Sequence, residues 1–281
     1  MRTIPSDAAI EAGIPPSGAG APFVLLASPL ATESTEAFRR AHELARSLAG
    51  ELAFLRVSSR SFNASTKVCV TPGRSVLNRS GDFLSVVADT AKVLQPSLVA
   101  IPELCGQTGR FVHDLAIECD VPILVARRAT ESKLILVATD LANPTFPVLH
   151  AGALLSASLR VRLVFLHNLA PTFSYGDRTN ARLRGCPPSV LDRLEALTFA
   201  AHAFNVESDN VVTIAPDVDE ALMSVIQRER PDIVIVGARD RRHLNSNRAS
   251  LAQTIYDESA PSVVIVPLCP SRAPLSGYGT S

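Results

Sequence analysis

The chain has 281 residues, 47% of them hydrophobic and 19% charged, which is apolar material for two domains of ordinary size or one large one. Its 27 lysines and arginines balance 27 aspartates and glutamates, so it has no general attraction for nucleic acid or an anionic membrane. Its apolar runs are short and closed by Pro or Gly, well under the roughly 18 residues that span a bilayer, and the chain reads as a soluble globular protein. Residues 1–21, rich in Pro, Gly and Ala and carrying Asp7 and Glu11, lack the apolar core of a signal peptide and read as a flexible leader.

From residue 22 onward short β-branched runs alternate with longer amphipathic stretches, the pattern of a parallel α/β sheet. Phe23 to Ser28 reads as a strand, Glu33 to Ala49 as a helix and Leu52 to Val57 as a second strand. Further on, Leu98 to Ile101 forms a strand after Pro96, Val112 to Cys119 a helix and Ile123 to Val125 a closing strand. His113 and Asp114 read as an exposed helix start. The polar stretch Arg127 to Ser132 marks a boundary, so the first domain is residues 22–128.

The pattern then recurs. Leu134 to Thr139 is a strand, Pro144 to Leu159 a helix and Leu163 to Asn168 a strand, so that Leu26 answers Val137 and Leu55 answers Leu166, each 111 positions apart (137 − 26 and 166 − 55). The motif Gln95 to Pro102 answers Arg230 to Gly237 at 135 positions (231 − 96), so 24 residues are gained in between. Most of that extra length is assigned to Leu169 to Pro188, a Pro-, Gly-, Arg- and Asn-rich loop or lid. Leu251 to Ser259 and Val263 to Val266 close the second domain, residues 133–268, and 269–281 form a flexible tail. The expected fold is α/β, with two tandem open parallel five-stranded sheets flanked by helices.

Ligands of such sheets bind outside the carboxyl ends of the strands, at the switch in strand order. That points to Asp140 after the first strand of the second half, His167 and Asn168 after its second, and the stretch from Gly237 to Ser250 after its fourth. Asp140 suits either a ribose hydroxyl or an Asx-turn bond to its own backbone. His167 suits either a ligand contact or a strand-end cap. The loop also holds Arg239, Arg241, Arg242, His243 and Arg248, whose forks can grip phosphate. The six histidines form no i,i+3 or i,i+4 pair with one another or with a cysteine, and no metal is expected. The five cysteines include no Cys-x-x-Cys, which fits a reducing cytoplasm without disulfides or zinc. Cys105, beside Gly106, reads as a small apolar filler or, less simply, a redox-sensing thiol.

The ordered series Leu136-Val137-Ala138-Thr139-Asp140, Phe165-Leu166-His167, Asp232 to Gly237, Ala249-Ser250-Leu251-Ala252-Gln253 and Ser262 to Pro267 resembles the universal stress protein family in a tandem two-domain form. The resemblance implies an adenine-nucleotide α-hydrolase-like sheet in each half. It implies closing strands that meet edge to edge, making the tandem chain an intramolecular pseudo-dimer or part of a homo-oligomer. Nucleotide-binding members carry Gly-x-x-Gly-x9-Gly-Ser/Thr after the fourth strand. Gly237 matches the first glycine and Ser250 the hydroxyl, while Asp240 and Ala249 stand at or near the places of the other glycines. In the first half Pro29 replaces Asp140 and Pro102 replaces Gly237, which reads as a structural pseudo-subunit.

The resemblance implies a cytoplasmic stress-response protein that is not an enzyme and acts by binding a ligand or an unidentified protein partner. The alternative is an adenine-nucleotide module in the second domain, with ATP and Mg²⁺ as cofactors. In it Asp140 lies at the ribose, Gly237 and Arg239 near the phosphates, Ser250 on a phosphate oxygen and His167 at the mouth of the site.

Overall fold

The computed structural model describes residues 23–29, 35–58, 69–71, 74–103, 109–127, 133–139, 141, 147–169, 188–215, 217–238 and 251–268. They form two compact units, 23–127 and 133–268. No helix among them is long and apolar enough to cross a membrane.

The first unit runs β1 (Phe23–Pro29), α1 (Thr35–Ser47), β2 (Glu51–Ser58), β3 (Cys69–Thr71), β4 (Arg74–Ser80), α2 (Phe83–Leu94), β5 (Leu98–Pro102), α3 (Gly109–Cys119) and β6 (Ile123–Ala126). Its strand order is β3-β4-β2-β1-β5-β6, parallel throughout except for β3, which runs antiparallel to β4. The short β3 is an addition to the five parallel strands that the sequence leads one to expect.

The second unit runs β7 (Leu134–Ala138), α4 (Pro147–Leu159), β8 (Arg162–Leu169), α5 (Pro188–His202), β9 (Ser208–Ile214), α6 (Val218–Glu229), β10 (Ile233–Ala238), α7 (Leu251–Glu258) and β11 (Ser262–Pro267). All five strands are parallel, in the order β11-β10-β7-β8-β9. The central strands are apolar along their whole length because helices cover both faces of a parallel sheet. Ile135, Leu136, Val137, Val234, Ile235, Val236, Val263, Val264 and Ile265 are all fully buried.

The two units repeat each other in the register of their central strands, while α5, between β8 and β9, has no counterpart helix among the described residues of the first unit and takes up added length that the sequence reading places in the loop Leu169 to Pro188. In the first, Leu25 pairs with Ala53 on one side and Val99 on the other; in the second, Leu136 pairs with Val164 and Val234. Shifts of 111 positions for the first two strands and 135 for the fourth carry one set of pairs onto the other (136 − 25 and 234 − 99). The helix ends repeat as well. Asp82 caps α2 by accepting from Ser85 N, and Asp217 caps α6 by accepting from Asp219 N and Glu220 N. Both helices end on a left-handed residue, Gln95 at φ 50° and Arg230 at φ 47°, whose N–H returns to the last turn. The turns after α1 and α4 share left-handed Ala49 and Arg160 at φ 51° and 54°.

His113 is not an exposed helix start. The helix α3 begins at Gly109, so Gly109, Val112, His113, Ala116 and Cys119 fall on one stripe, and that stripe faces the core. His113 is 1% exposed, with Nδ1 3.3 Å from the Asp114 carboxylate.

Candidate functional site

In the second unit the chain winds outward from β7 through β8 to β9 on one side, then crosses back to β10 and β11 on the other. The switch point therefore lies between β7 and β10, the place outside whose carboxyl ends open α/β sheets generally bind ligands. The β7–β10 ladder ends at Val137 opposite Ile235, with Thr139 and Gly237 each two residues further on.

The turn leaving β7 is held from three directions. Thr139 N–H donates to Leu166 O at 3.0 Å, continuing the strand. The Thr139 hydroxyl oxygen accepts the N–H of Leu141 at 3.1 Å, a side-chain turn of the Ser/Thr type. The Thr139 carbonyl accepts Nδ1–H of His167 at 2.8 Å. Leu141 sits in the left-handed region at φ 57° and is 3% exposed. That conformation costs a side-chain-bearing residue about 1–2 kcal/mol. On the far side of the turn the Leu141 carbonyl accepts Nη1–H of Arg193, reaching in from α5 at 2.9 Å. The carbonyls of Thr139 and Leu141 are thus fixed by His167 and Arg193 respectively.

A carbonyl oxygen can only accept, so His167 carries its neutral-state proton on Nδ1 and leaves Nε2 as an acceptor. The neighbouring Asn168 is spoken for structurally. Its Oδ1 accepts the Thr213 hydroxyl at 2.8 Å and its Nδ2 donates to Ala215 O at 3.1 Å, tying the end of β8 to that of β9.

Gly237 lies in β10, paired with Val266, rather than in a loop. A Cβ on it would stand 2.6 Å from Leu268 Cδ1 and 2.9 Å from Leu268 Cγ. Leu268 is held there by its N–H bond to Ala238 O at 2.8 Å. The space that glycine opens at this position is filled by the chain's own leucine, which gives the residue a packing reason independent of any phosphate. Asp140, Arg239 and Ser250, the other residues assigned to the site, lie outside the described residues, as do Asp240, Ala249 and Cys105. So does most of the Leu169 to Pro188 insert.

Sequence reasoning missed Thr139, Leu141 and Arg193. A hydroxyl two residues before a buried leucine is a local turn signal that could have marked the first two. Nothing local joins Arg193 to Leu141, which are 52 positions apart. A separate groove of about 560 Å³ runs between α6 and α7 past Asp219, Glu220 and Glu258, and its acidity disfavours an anionic ligand. Among the described residues no three His, Cys, Asp or Glu side chains group to hold a metal ion.

The parallel sheet with its switch point gives the second unit the topology of an open, doubly wound α/β domain. Residues 131–267, the second unit, match the universal stress protein family. No curated protein matches the sequence. Solved structures match over most of the chain. One, a protein from Pseudomonas aeruginosa UCBPP-PA14 named as a universal stress protein, is 15% identical with a TM-score of 0.61, covering 88% of this chain and 93% of its own. A universal stress protein from Archaeoglobus fulgidus DSM 4304 is 13% identical with a TM-score of 0.56, covering 86% and 96%. A protein of unknown function, PA1789 of Pseudomonas aeruginosa PAO1, is 15% identical with a TM-score of 0.59, covering 88% and 92%. At these identities the likeness is one of fold.

Proposed function

We propose that the protein is a cytoplasmic stress-response protein that acts by binding, without turning over a substrate, and that it binds at the carboxyl end of the second unit's sheet. The observation that carries this reading is the clamped turn at the β7–β10 switch point, where Thr139 and Leu141 are fixed by groups from two other elements. A rigid scaffold at that place suits recognition of a ligand. His167 also favours binding over turnover. Its orienting partner is a backbone carbonyl, which fixes the ring without stabilising an imidazolium as the carboxylate of a catalytic dyad does. The family match to 131–267 supports the second unit as the working half, with the first as its structural repeat.

A second reading gives the ligand's class: an adenine nucleotide, with Asp140 at the ribose, Arg239 and Ser250 at the phosphates and Mg²⁺ accompanying ATP. The cationic Arg193 beside the switch-point turn favours it. The Leu268 side chain over Gly237 weighs against a phosphate at that glycine. Calorimetric and thermal-shift titration of the full chain with ATP, ADP and AMP, with and without Mg²⁺, tests it. A ligand at one hundred times its dissociation constant raises stability by about 2.7 kcal/mol, so binding gives a clear shift. No shift at millimolar nucleotide removes the nucleotide reading and leaves another ligand or a protein partner.

A further inference from the structure

We propose that Arg193 is the anion-contacting residue of the second unit's site, presenting its guanidinium to a phosphate or other oxyanion of the ligand. The inference rests on the reading of this site as one for an anionic ligand.

Three observations carry it. Arg193 belongs to the second turn of α5, whose N-terminal end follows the carboxyl end of β8 in the winding, so the side chain starts on the ligand side of the sheet. Next, among the described residues the guanidinium is anchored by a carbonyl and pairs with no carboxylate. Arg39, Arg40, Arg110, Arg127, Arg162 and Arg228 each stand against a carboxylate. Arg193 instead gives Nη1–H to the Leu141 carbonyl. A carbonyl fixes the fork's direction and leaves the positive charge and the remaining N–H groups available, which is what bidentate recognition of an oxyanion uses. Finally, the residue it holds is strained. Leu141 keeps its left-handed φ of 57° because Thr139 and Arg193 bind its N–H and its carbonyl, so this arginine and the switch-point turn are set in place together.

The fork also answers a problem posed by the second reading. With Gly237 covered by Leu268, backbone approach at the end of β10 is restricted, and a side-chain donor from α5 supplies the charge that such an approach would otherwise provide.

The test is calorimetric titration of the full chain with AMP, adenosine and sodium tripolyphosphate, for the wild type, Arg193→Gln and Arg193→Lys. Thermal unfolding of each variant establishes that it is folded. The wild type is expected to bind AMP at least tenfold more tightly than adenosine, and to bind tripolyphosphate. Arg193→Gln should weaken AMP and tripolyphosphate at least tenfold and leave adenosine within twofold. Arg193→Lys, which keeps the charge but not the fork, should recover part of the loss. Equal weakening of AMP and adenosine would show that Arg193 only positions the turn, and would overturn the proposal. So would unchanged AMP and tripolyphosphate binding in Arg193→Gln, or a wild type that binds neither. Tripolyphosphate binding that depends on Arg193, with AMP no better than tripolyphosphate and no adenosine binding, would sustain the anion contact and overturn the adenine reading alone.

Discussion

His167 donates its Nδ1 proton to the main-chain carbonyl of Thr139 across 2.8 Å, joining the end of β8 to the turn that leaves β7. This bond selects one neutral tautomer, so ¹⁵N spectra at neutral or higher pH should show a protonated, pyrrole-type Nδ1 and a pyridine-type Nε2 at this residue. The opposite assignment would mean that the ring does not hold the turn. His167→Ala removes the donor and a nearly buried ring, and should lower stability by about 1–3 kcal/mol, read as a fall in the urea midpoint.

Two glycines of the second unit should respond unequally to alanine. At Gly152 in α4 a Cβ would meet Val137 Cγ2 at 2.5 Å, with Leu163 Cδ1 at 3.4 Å. Both neighbours are fully buried core, where added volume forces strain of about 1–3 kcal/mol. At Gly237 the obstacle is the side chain of Leu268, which is only half-buried and can swing aside. Gly152→Ala should therefore lower the unfolding midpoint clearly more than Gly237→Ala. Adding Leu268→Ala should restore what Gly237→Ala loses. Failure of that rescue would show that the backbone, and not the leucine, resists the new methyl.

The repeated helix ends give a paired test. Asp82 and Asp217 each satisfy backbone N–H groups at a helix start, so Asp82→Ala and Asp217→Ala should each cost about 1 kcal/mol. At the other end of α2, Gln95 adopts φ 50°. The left-handed penalty of about 1–2 kcal/mol exceeds the roughly 0.4–1 kcal/mol of added unfolded-chain entropy that a glycine brings. Gln95→Gly should accordingly raise the midpoint slightly, whereas the same change on the exposed surface in mid-helix would lower it.

Much of this architecture was legible because both units depend on the same local signals. The apolar runs around Leu25 and Leu136 are pure strand, and the spacings of 111 and 135 positions reappear in the strand register. What stayed hidden has physical reasons. The strand β3 is three residues long and stabilised by pairing with β4, with too little chain to show a period of two. The helix α5 buries only a narrow stripe, Leu194, Leu197 and Ala201, and leaves Phe199 79% exposed, so its amphipathic pattern is blurred. At the site, Asp140, His167 and Gly237 drew attention by following strands. The contacts of Thr139 with Leu141 and of Arg193 with Leu141 arise from a turn and a long-range approach that no motif encodes.

Cys119 offers a check on the first unit's core. It is a free thiol with no exposure, and burial pushes its pKa up to about 12, with Lys92 acting against the shift and Glu118 adding to it. The reactive form of a cysteine is the thiolate. In the native protein at pH 8 this thiol should stay unmodified by iodoacetamide over hours and react only after unfolding in urea. Mass spectrometry of peptides from the two conditions distinguishes them, and modification of the native chain would mean that α3 opens readily.

His150, on α4, supplies a pH dependence whose sign follows from its surroundings. Its ring stands edge-on to Phe204, with centroids 6.0 Å apart, and burial lowers its pKa from the ordinary value of 6.5. In the unfolded chain the residue therefore takes up its proton at a higher pH than it does in the fold. Between the two values the unfolded state binds more protons, so stability rises with pH there. The neutral ring's contribution is complete above pH 6.5 and is lost as the pH falls through the lowered native value. Thermal midpoints measured from pH 7.5 downward should fall below pH 6.5 in the wild type. They should fall less steeply in His150→Gln, which has no ring to protonate. Parallel curves for the two proteins would place the acid sensitivity elsewhere and show that His150 titrates alike in both states.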